Sequence, residues 1–174
     1  MSEQDKAKHE VLLGLGGNIG DRLSFLRAAV VALAPFVEIT ETSGVYETID
    51  VCPTDQPLFL NAAVRGWTRL DPLGLLYTVK DLEIELGRKP TFRFGPRTID
   101  IDILFYDDIV LHTLDLSIPH PGVQERLFVL RPLMDIAPEW VHPVLKKNVE
   151  TLYSELPQGG VSRRQGNLCE RASL

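Results

Sequence analysis

Cysteine and histidine are scarce in this chain. Its 174 residues include two cysteines, Cys52 and Cys169, and four histidines, His9, His112, His120 and His142. Two thiols cannot build the multi-bridge framework of a small secreted domain. No CxxC or HxxxH spacing offers a structural zinc site. Long apolar runs are missing as well: the longest, Ala28 to Val37, is about half a membrane span and carries Pro35. The first ten residues, MSEQDKAKHE, hold no apolar stretch, so no signal peptide is expected. Cations are the minority, 18 Lys and Arg against 24 Asp and Glu, for a net charge of −6. Such a chain binds nucleic acid or anionic membrane poorly unless its basic residues cluster. With 13 Gly and 12 Pro, collagen-like and low-complexity classes are excluded. The expectation is a soluble cytoplasmic protein.

What is present is a globular mix, 44% hydrophobic and 24% charged. A chain of this size buries roughly 70% of its unfolded surface, enough for one core without staples. Strand-like and helix-like patterns alternate. Val11 to Leu15 reads as a short apolar strand ending in a glycine-rich turn, GLGGNIGDR. Asp21 is a plausible N-cap for a helix with the stripe Leu23, Leu26, Val30, Leu33, which Pro35 ends. Val37 to Tyr46 reads as one strand, followed by the polar loop ETIDVCPTDQP. Leu58 to Trp67 alternates, with Leu60, Ala62 and Val64 on one face and Asn61, Ala63 and Arg65 on the other. Asp71-Pro72 opens a helix carrying Leu75, Leu76, Val79, Leu82 and Leu86, with Gly87 as its stop. Thr98 to Tyr106 is the clearest strand. The order β-α-β-β-α-β predicts an α+β fold, a ferredoxin-like antiparallel sheet with helices on one face. A C-terminal extension adds short helices around Val123 to Met134 and Asn148 to Leu156. Residues 1–156 form the expected folded domain, and 157–174 an expected mobile tail.

The chemistry concentrates between Arg88 and Asp108, RKPTFRFGPRTIDIDILFYDD. In TIDIDILF the period is two, so Ile99, Ile101, Ile103 and Phe105 point one way and Asp100 and Asp102 the other. Two aspartates on one strand face, roughly 6.5–7 Å apart, repel unless water or a cation intervenes. Hard cations such as Mg²⁺ take one or two protein carboxylates together with substrate phosphates. A solvated strand face explains the pair equally well when it is taken alone. Beside it stand four cations, Arg88, Lys89, Arg93 and Arg97, with no acid from Arg88 to Thr98. Guanidinium forks match phosphate oxygens, while Phe92 and Phe94 are placed to cover a ring. IPHPGVQERLFVL adds His120 between two prolines and Arg126 beyond it. Glu83 sits at the edge of the apolar stripe Leu76, Val79, Glu83, Leu86, where a half-buried acid must find a partner. GLGGNIG fails the dinucleotide fingerprint because Ile19 stands where its last glycine is needed.

The segments FGPRTIDIDILFYDD, DQPLFLNAAV, ELGR and IPHPGVQERLFVLRPLMDIAPE resemble, in collinear order from about Val11 to Pro143, the 6-hydroxymethyl-7,8-dihydropterin pyrophosphokinase family of folate biosynthesis. The resemblance implies transfer of the β,γ-diphosphate of MgATP to the hydroxymethyl group of a reduced pterin, with release of AMP. It implies that Asp100 and Asp102 hold two Mg²⁺ ions and that Arg88 and Arg97 are catalytic loop arginines. It places His120 and Arg126 on the phosphates and Glu83 near the nucleotide. Thr48, Val51 and Asn61 fall at the pterin's polar edge, Phe59 and Phe128 on its two faces. Phe94 stands where a tryptophan lid residue is common, Gly17 where serine is usual, Ile49-Asp50 where two prolines are common, and Lys80 where some relatives carry Gln. ATP and the pterin are the implied partners of a monomer, with no nucleic acid and no membrane. Two other classes share parts of the pattern. A Mg²⁺-dependent nucleotidyltransferase also uses an Asp-x-Asp strand but releases pyrophosphate. An RNA-binding ferredoxin-like module needs cations and aromatics on the open sheet face, where this chain has Asp100 and Asp102.

Overall fold

Alternation along the first strand, β1 (His9–Gly17), buries Val11, Leu13 and Leu15 on one face and Leu12 on the other. The computed structural model describes residues 7–48, 56–92 and 95–169. After β1 come α1 (Arg22–Leu33), β2 (Val37–Thr42), β3 (Gly44–Thr48), β4 (Phe59–Thr68), α2 (Pro72–Glu85) and β5 (Asp100–Tyr106). A two-residue hairpin pair, β6 (Leu111–His112) and β7 (Ser117–Ile118), leads to α3 (Leu127–Ile136), α4 (Val149–Glu155) and β8 (Val161–Asn167). The sheet order is β5-β1-β4-β3-β8, with β2 also on β4, and every pairing is antiparallel.

Both caps expected from sequence form. The Asp21 side chain accepts from the Ser24 N–H at 3.1 Å, and Asp71 from the Gly74 N–H at 2.9 Å. Helices α1 and α2 then bury Leu26, Leu33, Leu75 and Val79 against Leu13, Leu15, Ile101 and Ile103. Helices α3 and α4 cover the opposite face through Leu130, Leu133 and Leu152, packed with Leu12, Ala63 and Phe105. The antiparallel α+β expectation holds. The single helical layer describes only α1 and α2, because the C-terminal extension supplies a second.

Three local readings are corrected. The strand expected over 37–46 is two strands that share β4, since β4 meets β3 at Phe59–Asn61 and β2 further along. At the break, Ser43 donates its N–H to the Ala63 carbonyl at 2.9 Å, and its hydroxyl accepts the Ala63 N–H at 2.8 Å. The interruption therefore leaves no ladder group orphaned. In β5 the expected alternation fails after Ile103. Leu12 faces Phe105 while Leu13 faces Ile103, so Leu104 is an extra residue in the ladder. A bulge of this kind resets the side-chain phase, and Phe105 turns to Trp140 and His142 in the second core. Finally, Val161–Asn167 of the expected tail is strand β8 on the edge of β3, and Leu168 is buried in the first core at 3% exposure. The sheet thus extends past the boundary set at residue 156. Backbone pairing on an exposed edge demands little apolar periodicity, which is why the composition of this segment does not announce it.

If Leu168 is part of the core, Leu168→Ala will lower the free energy of unfolding by about 2–3 kcal/mol. Urea denaturation measures this; an unchanged midpoint would mean that the segment contributes no packing.

Candidate active site

The bulge confines the aspartates to the part of β5 where alternation holds. Asp100 and Asp102 face the side of α3, while Ile99, Ile101 and Ile103 lie buried on the other side. They open onto a cleft of about 360 Å³. Its floor is β1 at Gly14 and Gly16. A Cβ at Gly16 would meet Asn61 Oδ1 at 3.0 Å, and one at Gly14 would meet Leu104 at 3.3 Å. Glycine is therefore what leaves room between the acids of β5 and the polar residues of β4. The strand, expected to end at Leu15, continues through Gly16 and Gly17. The alternation of glycine with Leu13 and Leu15 was the available signal. At Gly17 a Cβ would lie 2.3 Å from the Thr98 carbonyl oxygen, so the strand end packs directly on the backbone that leads into β5.

One part of the cleft combines a buried polar pair with aromatic lining. Asn61 donates to the Thr48 hydroxyl at 2.8 Å, and both residues are buried. Phe59 lines the same cleft from β4 and Phe128 from α3. Val51 and Phe94, expected here, lie outside the described residues. Sequence reading missed Asn18, which is 1% exposed. Its Oδ1 accepts the Arg97 N–H at 2.9 Å, and its Nδ2 donates to Gln56 Oε1 at 3.2 Å and the Pro57 carbonyl at 3.1 Å. It joins the loop before β4 to the loop before β5. An asparagine directly after two consecutive glycines was the clue the sequence offered.

The other end is charged. Asp100 Oδ1 accepts from Arg88 Nη1 at 2.7 Å and Asp100 Oδ2 from Arg97 Nη1 at 3.0 Å. The Arg97 guanidinium also rides 5.8 Å from the centroid of Phe59. No described side chain pairs with Asp102. Burial first, and the neighbouring Asp100 second, push its carboxyl up to about 6 against the pull of Lys80, Arg126 and Arg97. The loop bearing His120 is tied to β5 by the His120 N–H, which donates to the Leu104 carbonyl at 2.9 Å. Burial and the charge of Arg126 lower the pKa of His120, so a neutral imidazole lines the cleft beside Arg126, its Nδ1 buried and without a hydrogen-bond partner among the described residues. Glu83 is not in the cleft. It lies 2% exposed behind β5, bound to Ile101, Lys80 and Arg88. Arg88 reaches the site only through its bond to Asp100.

The donor set suits one class of metal. Among the described residues, no cluster of three or more His, Cys, Asp or Glu side chains converges as a cage. A bare, desolvated carboxylate beside a charged one fits Mg²⁺, which retains water and takes its other ligands from phosphate.

Raising the Asp102 pKa has a sign that can be checked. In metal-free protein the folded state holds a proton that the unfolded chain, with its ordinary value of 3.8, releases, so stability falls as pH rises from about 4 to about 6. Asp102→Asn should flatten this slope and raise the melting temperature above the window. Thermal melts across the range without divalent ions test it, and an unaltered slope would assign the titration elsewhere.

The sequence model of the 7,8-dihydro-6-hydroxymethylpterin-pyrophosphokinase family, HPPK, matches residues 12–138. The 2-amino-4-hydroxy-6-hydroxymethyldihydropteridine pyrophosphokinase of Aquifex aeolicus is 43% identical over 145 residues, 83% of this chain and 91% of that protein. The enzyme of the same name from Bacillus subtilis is 47% identical over 126 residues, 71% of this chain and 75% of its own. A mitochondrial folate synthesis bifunctional protein of Arabidopsis thaliana is 46% identical over 77% of this chain, which spans only 24% of that longer protein. A crystal structure of Plasmodium falciparum HPPK-DHPS shares the fold, with a TM-score of 0.74 at 20% identity over 87% of this chain and 46% of that one. Motif order, fold and relatives agree: the chain belongs to the 7,8-dihydro-6-hydroxymethylpterin-pyrophosphokinase family.

Proposed function

We propose that this cleft carries out the family's reaction, moving the diphosphate of ATP to the hydroxymethyl group of 6-hydroxymethyl-7,8-dihydropterin with the residues placed above. The observation that carries the assignment is the alignment, over one glycine floor, of an unpaired Asp102 with the buried Asn61–Thr48 pair. The pterin ring lies between Phe59 and Phe128, with its polar edge at Asn61 and Thr48. Its hydroxyl oxygen attacks the β-phosphorus, the bond from that phosphorus to the oxygen bridging the α-phosphate breaks, AMP departs, and the hydroxyl proton passes to solvent water.

Asp100 and Asp102 would hold Mg²⁺, two ions in this reading, which neutralises phosphate charge when bound. Arg126 and the neutral His120 hold the polyphosphate. Arg97 and Arg88 leave Asp100 to meet negative charge that builds on the transferring group. Such transfers need alignment and charge stabilisation more than covalent help. Val51 and Phe94 complete the pterin side in this reading. The net charge of −6 supports small-molecule substrates over nucleic acid. We take the protein to work as a cytoplasmic monomer.

³¹P NMR of a mixture of ATP, Mg²⁺ and the reduced pterin should show AMP and a pterin diphosphate. Release of pyrophosphate would instead indicate nucleotidyl transfer. Asp102→Ala should abolish turnover while near-native circular dichroism is kept, and near-normal activity in that variant would refute its role. Arg97→Ala should slow single-turnover chemistry more than it weakens pterin binding. The reverse pattern, full rate with a raised pterin dissociation constant, would contradict the role given to Arg97.

A further inference from the structure

Glu83 is the buried acid that the mechanism leaves unused. It stands near the end of α2, and its Oε1 accepts the Ile101 N–H at 2.6 Å. Ile101 is the residue between Asp100 and Asp102, and its side chain is buried on the opposite face from theirs. Strand β5 ends the sheet. An N–H turned off that outer edge finds no neighbouring strand, and leaving it unpaired would weaken the local backbone. The Glu83 carboxylate is the acceptor that prevents this. Two cations balance its charge: Lys80 Nζ lies 3.1 and 3.2 Å from its oxygens, and Arg88 bonds its Oε2. Arg88 is shared with Asp100, whereas Lys80 pairs with Glu83 from the preceding turn of the same helix.

Resting on the reading of the cleft given above, we propose that Glu83 is a positioning residue for Asp100 and Asp102. Through the Ile101 N–H it holds the strand between them, keeping both carboxylates turned to the cleft. It does this without touching the nucleotide. Lys80 keeps the buried acid paired when Arg88 turns toward phosphate, so Arg88 moves without releasing the strand.

Three readouts on the full chain test this with Glu83→Gln and Glu83→Ala. They are Mn²⁺ affinity by electron paramagnetic resonance with a non-hydrolysable ATP analogue, AMP affinity by calorimetry without metal, and amide exchange of Ile101 by NMR. Glutamine retains a carbonyl acceptor, so Glu83→Gln should leave Ile101 protected and Mn²⁺ affinity little changed. Glu83→Ala should expose the Ile101 amide and weaken Mn²⁺ binding by about tenfold or more, with AMP affinity unaltered. A loss of AMP affinity in either variant would mean that Glu83 contacts the nucleotide, and it overturns the proposal. So does an Ile101 amide that stays protected in Glu83→Ala. Should Glu83→Ala not fold, Glu83→Gln decides alone: weak Mn²⁺ binding with Ile101 still protected overturns the proposal. Failure of the unaltered protein to bind Mn²⁺ removes the cleft reading itself, an outcome distinct from failure in the variants.

Discussion

Asp100 and Asp102 repel each other across the pleat of β5, and the burial of Asp102 sharpens that repulsion because less water lies between the charges. Almost every nearby feature answers it. Two guanidiniums converge on Asp100. Asp102 has no such partner, and its carboxyl is raised first by burial and second by the neighbouring Asp100. A strand that tolerates such a pair must be held from outside. On one side stands β1, whose glycines give no side chain to fill the space; on the other is the edge that Glu83 closes.

The fold distributes labour between its two faces. Cores built by α1 and α2 fix the isoleucines of β5 and so fix the direction of the aspartates. The second helical pair does not fill its face completely, because Gly14 and Gly16 hold open a volume where a strand with ordinary side chains would pack solid. Binding space here is a deliberate deficit of side chain in the middle of a sheet, bordered by loops that Asn18 ties together.

Much of this was legible along the chain. Period-two alternation in TIDIDI and in β4 assigned the faces of Asp100, Asp102 and Asn61 correctly, because both segments are regular strands between a core and a cleft. The helix caps Asp21 and Asp71 were legible because capping is a local matter. What escaped depended on partners distant in sequence. The phase of Phe105 is set by an irregular pairing with β1 that no single strand reveals. Strand β8 is defined by the edge it joins, and Gly16 and Gly17 look like a turn until β4 and β5 flank them. Glu83 was singled out as an acid in need of a partner, but that its partner is a backbone N–H between the aspartates follows only from how α2 lies along the sheet.

Arg97 bridges the two halves of the cleft, with its head on Asp100, its guanidinium plane near Phe59 and its backbone fixed by Asn18. A group shared in this way makes the two binding events energetically dependent on each other. Whatever draws the guanidinium off Asp100 also alters what covers the aromatic ring, and thermodynamic reciprocity requires the influence to be equal when the ring is filled first. In the proposed reading of the cleft, its charged end and its aromatic end are therefore coupled through one side chain.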